Sequence, residues 1–300
     1  MSYHTSIMLQ ECIEGLNIKE DGVYVDLTFG GGGHSKAILE KLNKGHLYAF
    51  DQDEDARENA KDIDSRSFTL VQSNFRYLKK YLKFYGIKKV DGILADLGVS
   101  SHQINEASRG FSTRFEGPLD MRMDQTLQKT AADVLNDYDQ GELHRIFGMY
   151  GEVRNAKTLA SEIVRRRVSK SFETINDLKE ILGRYAPRGR ENKYYAQVFQ
   201  AIRIEVNEEL KVLEEMLEQA NEVLNKEGRL VVMSFHSLED RIAKNYINKG
   251  NFHGEAEKDF YGNLIRPFQP VNRKPTIARE EEIKSNNRAR SAKLRVAEKV

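Results

Sequence analysis

The residues with the plainest chemical use are three carboxylates that end apolar runs, Asp26, Asp51 and Asp96, and the glycines Gly30–Gly33 between the first two. Consecutive glycines allow φ > 0 and let a ligand approach backbone where a Cβ would clash. Val23-Tyr24-Val25 reads as a strand and the spacing predicts a helix over Ser35–Leu42, so the loop joins the two. A dinucleotide loop reads G-x-G-x-x-G, but Ser35 holds the last glycine's place. A phosphate-binding P-loop needs Gly-Lys-Ser/Thr, where Gly32-Gly33-His34 stands. Asp51 ends the next apolar run, roughly 20 residues past the glycines, where a ribose is hydrogen-bonded. Asp26, Gly30–Gly33 and Asp51 together suit S-adenosyl-L-methionine, whose sulfonium and amino groups tolerate carboxylates as a pyrophosphate would not. The plain alternative is a flexible turn, with Asp53 capping the following helix.

Asp96 follows Ile93-Leu94-Ala95, where a carboxylate needs a partner. A ligand amine, a substrate amino group or a hydrogen bond to the Gly98–Ser101 turn would each serve. Phe75 reads as an adenine-lining ring or as core packing.

These residues must be positioned by a parallel sheet. Strands are predicted at Leu47–Phe50, Ser67–Val71 and Val90–Leu97, alternating with helices, and open parallel sheets bind ligands beyond the carboxyl ends of their strands. From about Thr126 to Tyr185 the pattern is helical, with start signals at Thr130/Asp133, Asp139/Glu142 and Thr174/Asp177. A strand returns at Arg229–Phe235. The chain therefore reads as an α/β, Rossmann-like sheet (1–112 and 200–300) interrupted by an all-helical insertion (113–199). The apolar repeat Val206, Leu210, Leu213, Leu217, Ala220, Leu224 is too short for a coiled coil and predicts a helix against the sheet, stopped by Gly228. Ser237/Asp240 opens a helix through Tyr246. A strand is expected within Gly262–Phe268, and an edge strand at Ala292–Ala297.

The 39% hydrophobic content of the 300 residues can fill a real core. No apolar run approaches a membrane span and Met1–Gln10 lacks a signal-peptide layout, so a cytoplasmic address is expected. The single cysteine, Cys12, excludes intrachain disulfides and thiolate clusters, and the His and acid spacings give no zinc pattern, so no metal is expected. A net charge of +1 announces no nucleic-acid partner, so any such signal must be local.

The segments DLTFGGGGHS (26–35), AFDQD (49–53), DGILADLGVSSHQINEASRGFSTRFEGPLDMRMD (91–124), FQAIRIEVNEEL (199–210), GRLVVMSFHSLEDR (228–241) and RARSAKLRVAEK (288–299) resemble the bacterial small-subunit ribosomal RNA (cytosine-N4)-methyltransferase family, RsmH/MraW. The resemblance implies a Rossmann-like methyltransferase with a helical insertion. It further implies methyl transfer from S-adenosyl-L-methionine to the exocyclic N4 of a cytidine in the decoding region of 16S ribosomal RNA. The family's cofactor positions fall on Gly32, Gly33, His34, Asp51, Phe75, Asp96 and Gln103. The chain departs from the family at Lys193–Gln200, where a His-Pro-x-x-Arg-x-Phe-Gln sequence is often found.

For such a reaction Asp96 is the first catalytic candidate, followed by His236 and Ser234 beyond the late strand, with Ser237 read as a helix cap and Cys12 as remote. Phe111, Phe115 and Tyr194 are candidates to hold an extruded base. RNA phosphates have three candidate clusters: Arg165, Arg166 and Arg167 with Lys170; Arg184, Arg188 and Arg190; and Arg288, Arg290, Lys293 and Arg295. Charge runs are also commonly solvated faces. The expected partner is 16S ribosomal RNA in the small subunit or its precursor, with a homodimer left open. Two other readings stand beside it: a DNA or small-molecule amino-methyltransferase, and a non-catalytic S-adenosyl-L-methionine-binding ribosome assembly factor.

Overall fold

The computed structural model describes residues 6–63 and 66–300. They divide into two compact units, one comprising residues up to Gly98 with Leu210–Val300, the other Val99–Glu209. In chain order the helices are α1 (Leu9–Leu16), α2 (Gly33–Leu39), α3 (Ala56–Ala60), α4 (Leu78–Phe84), α5 (Ser101–Asn105), α6 (Ala131–Asp137), α7 (Gln140–Met149), α8 (Ala156–Arg167), α9 (Ile175–Tyr185), α10 (Glu191–Asn207), α11 (Glu209–Val223), α12 (Ser237–Lys249) and α13 (Glu280–Ser285). The strands are β1 (Val23–Asp26), β2 (His46–Asp51), β3 (Phe68–Gln72), β4 (Val90–Asp96), β5 (Leu224–Ser234), β6 (Phe268–Pro270), β7 (Thr276–Ile277) and β8 (Lys293–Lys299). No helix among the described residues is long and apolar enough to cross a membrane.

All the strands lie in the first unit, ordered β3-β2-β1-β4-β5-β8-β6, with β7 also on β8. The first five run parallel. They read as continuous apolar runs because helices cover both faces. One face buries Val25, Phe50, Ile93 and Val232 against Leu213, Met216, Leu217 and Ala220 of α11. The other buries Tyr24, Leu47, Leu94 and Met233 against Met8, Cys12 and Leu16. Each large side chain so buried contributes about 1.5–3 kcal/mol. Of the repeat leading into the late strand, Leu210, Leu213, Leu217 and Ala220 lie on α11 against the sheet. Val206 instead lies at the end of α10 in the helical core, beyond a break at Glu208 with φ 50, and Leu224 already opens β5. Helix α11 ends at Val223, before Gly228, and the chain passes directly into β5 with a register shift between Val90 and Gly92 of β4.

The closing segment is a strand but not an edge. β8 pairs β5 on one side and β6 and β7 on the other. The strand expected within Gly262–Phe268 begins only at Phe268, because Asp259 closes a turn over Asn263. The helix expected over Ser35–Leu42 starts at Gly33 and ends at Leu39.

The helical unit folds around Phe147, Phe172, Leu143, Ile146, Leu159 and Ile163. All three predicted capping boxes form, Thr130/Asp133, Asp139/Glu142 and Thr174/Asp177, each stabilising its helix by about 1 kcal/mol. The helical pattern begins only at Ala131 rather than Thr126. The unit extends beyond 113 and 199 on both sides for a specific reason. Arg109 Nη2 donates to the Arg122 and Met123 carbonyls at 3.0 and 3.1 Å. From the other end, Asn207 donates to Met121 O and accepts from Met123 N–H, both at 2.8 Å.

Gly110 sits in this lock at φ 74, where an added Cβ would lie 2.4 Å from Pro118 O and 2.9 Å from Asp120 N. Both obstacles are backbone. Gly110→Ala should therefore destabilise the chain by roughly 3 kcal/mol or more, read as a melting temperature lowered by several degrees. A melt within one degree of wild type would contradict the lock.

Candidate active site

The carboxyl edge of the parallel sheet brings Asp26, Asp51 and Asp96 together around the glycine loop. Two neighbouring strands hold that loop: Leu27 N–H donates to Leu94 O at 2.8 Å, and Phe29 N–H to Phe50 O at 2.9 Å. Gly30 and Gly32 have φ 50 and 76, and a Cβ on Gly32 would strike the Phe29 ring at 2.9 Å. A Cβ on Gly33 would lie 2.1 Å from Ser6 Oγ, whereas one on Gly31 would meet open space. The loop is a shaped concavity rather than a flexible turn.

Each aspartate has a different environment. Asp26 is fully buried, and both its oxygens are committed internally. Oδ2 accepts from Ser35 Oγ–H at 2.7 Å and Oδ1 from Thr28 N–H at 3.1 Å. Burial raises its pKa, opposed by the neighbouring His34 and by Ser35. As placed, Asp26 has no exposed surface and shapes the loop from within, whereas Asp51, with the same count of one hydrogen bond per oxygen, keeps exposed surface. Asp51 accepts Gly30 N–H on Oδ2 at 2.7 Å and Asp53 N–H on Oδ1 at 2.9 Å. Burial pushes its pKa up to about 6 against those two amides. Each of its oxygens keeps a second lone pair for a ligand hydroxyl.

Asp96 ends β4. Its N–H donates to Thr28 Oγ1 at 2.7 Å, while its Oδ2 lies 3.8 Å from His34 Nδ1. Oδ1 is buried with no hydrogen-bond partner among the described residues. Burial first, then the negative charges of Asp26 and Glu239, push the pKa up to about 7 against the pull of His34. The side chain is 26% exposed. A buried acceptor left unpaired costs about 1–3 kcal/mol, so this oxygen is poised for an outside donor.

His34 is 5% exposed and its Nε2 is 3.2 Å from Ile7 O, which fixes the ring beside Asp96. Phe75 opens a short 3₁₀ turn capped by Asn74 and packs partly on the sheet core. Gln103 belongs to the helical unit, where its Oε1 accepts from Ser100 N–H at 2.9 Å and its N–H donates to Ser100 Oγ at 3.1 Å.

Ser234 is 2% exposed, and its Oγ–H donates to Lys293 O at 3.4 Å, within the β5–β8 pairing. His236 itself is the cap of α12, one residue earlier than the Ser237 cap expected: Nδ1 accepts from Glu239 N–H at 3.4 Å, while Nε2, 3.1 Å from Glu239 Oε1, is buried without a hydrogen bond among the described residues. Cys12 is not remote either. Burial and then the charges of Asp96 and Asp26 raise its pKa well above the ordinary thiol value, which keeps it a protonated packing residue.

Sequence reasoning missed Thr28, Ser35 and Glu239. Thr28 and Ser35 sit at short offsets from Asp26, the positions from which a side chain or amide can bond that carboxylate. Glu239 follows His236 by three, the spacing of a reciprocal cap.

The cationic candidates separate sharply. Arg165 pairs with Glu162 at 2.6 Å and Arg166 with Glu180 at 3.8 Å. Arg167 Nη1 donates to the Leu135 and Tyr138 carbonyls at 3.0 and 2.6 Å, closing the end of α6. Lys170 pairs with Asp177, Arg184 with Glu180, and Lys293 and Arg295 with Asp240. Arg288 N–H is held by Asn286 Oδ1 at 3.2 Å. Arg188, Arg190 and Arg290 are exposed and form no ion pair among the described residues. Of the aromatic candidates, Tyr194 is 5% exposed with its hydroxyl donating to Asn155 Oδ1 at 3.0 Å, which makes it core. Phe111 packs on the helical core beneath Arg109, and Phe115 is 39% exposed beside Arg114.

A sheet whose carboxyl edge carries a glycine loop and three clustered carboxylates, interrupted after its fourth strand by a helical unit, defines a Rossmann-like methyltransferase. The family model described as MraW methylase matches residues 1–300. This chain belongs to that family. It is 58% identical over 297 residues to a ribosomal RNA small subunit methyltransferase H of Cytophaga hutchinsonii, covering 99% of both chains. It is likewise similar to the proteins of the same description from Christiangramia forsetii, at 55% over 301 residues covering 100% of this chain and 99% of that one, and from Phocaeicola vulgatus, at 54% over 298 residues covering 99% and 97%.

Proposed function

We propose that this protein transfers the methyl group of S-adenosyl-L-methionine to the exocyclic N4 of a cytidine in the decoding region of 16S ribosomal RNA, in the small subunit or its precursor. The observation that carries the site assignment is Asp96 Oδ1, a buried unpaired acceptor at the carboxyl edge beside a glycine concavity. The clustered acids fit the cofactor: burial first, then the negative charge of Asp26 with Asp53 for Asp51 and with Glu239 for Asp96, raises the pKa values of both, and a cationic ligand relieves what a pyrophosphate would aggravate. Gly30–Gly33 with His34 would line it, Asp51 would take the ribose hydroxyls, and Phe75 would line its adenine. When bound, S-adenosyl-L-methionine supplies an electrophilic methyl on a sulfonium.

The chain's own part is to make cytosine N4 a nucleophile. Its lone pair is delocalised into the ring, and Asp96 localises it by accepting a hydrogen bond from the amino group. As the methyl group leaves a sulfur that keeps the bonding pair as a neutral thioether, N4 would gain positive charge and give its proton to the Asp96 carboxylate. His34, with Nδ1 3.8 Å from Asp96 Oδ2, favours the charged form of that carboxylate. In-line positioning supplies much of the remaining acceleration, and a base already out of its stack is the cheaper substrate.

Arg188, Arg190 and Arg290 are our RNA contacts, and the Arg165–Arg167 cluster is reassigned to holding the helical unit. Arg188→Gln with Arg190→Gln should reduce the slope of log binding against log salt by roughly 1.5. Arg167→Gln should instead lower the melting temperature and leave that slope unchanged; the reverse pattern would overturn the assignment.

The function is tested by offering labelled S-adenosyl-L-methionine with small ribosomal subunits lacking the modification, naked DNA, or free cytidine. Label confined to subunit RNA supports the reading. Label on DNA or cytidine alone, or none despite bound cofactor, rejects it.

A further inference from the structure

The most exposed aromatic side chains among the described residues of the first unit stand on a hairpin between α12 and β6. Phe260 and Tyr261 are 98% and 86% exposed and sit edge to face with ring centroids 5.7 Å apart, at the tip of a hairpin closed by a bridge between Lys258 and Leu264. The tip is built to be rigid. Asp259 Oδ1 accepts from Tyr261 N–H at 2.9 Å and Asn263 N–H at 2.8 Å, Asp259 N–H donates to Asn263 O at 2.9 Å, and Gly262 turns the chain at φ 86. Two large rings are thus presented to solvent at little ordering cost, the arrangement used for binding rather than folding.

The hairpin leads into β6, whose Phe268 is level with Lys299 of β8, one step past the Arg229–Glu298 pair at the amino end of β5. Asp96 is level with Met233, four residues further along β5, at the opposite edge. At about 3.3 Å per residue, the exit of the hairpin and the reacting edge are separated by roughly 15 Å along the strands. The hairpin thus joins the sheet at the edge opposite the reacting carboxylates.

The surrounding charge selects the partner. Lys258 in the hairpin stem, Arg266 at its exit and Lys249 beside Gly250, which packs against Ile265 and Arg266, form no ion pair among the described residues, against the acids Glu255 and Glu257 and the internally bonded Asp259. Exposed rings framed by free cations match single-stranded RNA, whose bases stack on aromatics while its phosphates take lysine and arginine. Resting on the ribosomal RNA reading above, we propose that this hairpin is a second RNA contact, in which Phe260 and Tyr261 stack on unpaired bases of the substrate subunit distant from the methylated cytidine.

The test compares wild type, Phe260→Ala/Tyr261→Ala and Phe260→Trp/Tyr261→Trp. Neither exchange removes a buried group. The alanine pair should weaken binding to small subunits roughly 10- to 100-fold and raise the subunit KM accordingly. Its rate at saturating subunit and its S-adenosyl-L-methionine affinity should match wild type, and the tryptophan pair should retain binding. Ultraviolet cross-links from Tyr261 should map to 16S RNA. Unchanged binding and KM in the alanine pair would overturn the proposal, as would cross-links to ribosomal proteins alone. Binding is read without turnover, so a wild type that binds subunits but transfers no methyl refutes the functional reading and leaves the hairpin judged by its own result.

Discussion

Asp96→Asn is expected to lower methyl transfer by about 10²- to 10⁴-fold, the contribution of a positioned proton acceptor, in a chain that remains folded. The amide keeps the size of the carboxylate but can neither take the N4 proton nor offer the same charge-assisted acceptor. Stability should move the other way. Asp96 has a folded pKa pushed up to about 7 against roughly 3.9 when unfolded. The folded state therefore holds the extra proton between those values, and stability declines as pH rises through them. The variant escapes that penalty, so its melting temperature should exceed wild type at pH 8, and the gain should shrink as pH falls toward 4. Activity of the wild type should show the same group. kcat/KM should rise with pH on an apparent pKa near 7, and kcat on a lower one, because a cation beside the carboxylate favours its charged form. Wild-type kcat in the asparagine variant would remove Asp96 from the mechanism.

Asp51→Ala should carry the second largest effect, on cofactor affinity rather than on rate. The carboxylate holds Gly30 N–H at 2.7 Å and Asp53 N–H at 2.9 Å, and in our reading it also accepts the ribose hydroxyls. Each charge-assisted bond contributes about 1.5–3 kcal/mol. Losing two of them with the support of the loop predicts a dissociation constant for S-adenosyl-L-methionine raised by roughly 10²- to 10³-fold, measured calorimetrically. At saturating cofactor, turnover should fall by less than about tenfold. A large loss of kcat with normal affinity would instead place Asp51 on the reacting atoms.

The same residues show what a sequence can reveal and what it cannot. The capping boxes of the helical unit and the strand that returns after it were legible because caps and apolar runs are local. So was the glycine loop, since Gly30 and Gly32 serve a backbone conformation that few other residues adopt. The separation of Asp26 from Asp51 and Asp96 was not. All three end apolar runs, and only the fold shows that Asp26 is wholly enclosed with Ser35 and Thr28 on its oxygens. Arg167 fails for the same reason: it reads as one of three solvated cations, yet its partners are carbonyls of Leu135 and Tyr138, about 30 residues upstream. Asn207 in the FQAIRIEVNEEL segment holds the Met121–Met123 loop across more than 80 positions, a contact that no local pattern announces. The edge strand expected at the end of the chain became interior because two short strands, β6 and β7, pair outside it, and neither carries an alternating pattern long enough to recognise.

The central claim is that one cytidine N4 receives the methyl group. Small subunits isolated from cells lacking this protein should be incubated with it and isotopically labelled S-adenosyl-L-methionine, and their 16S RNA digested to nucleosides for mass analysis. The account predicts label in N4-methylcytidine from a single decoding-region position, abolished by Asp96→Asn. Label in 5-methylcytidine, in a 2′-O-methyl nucleoside or in another base would contradict it.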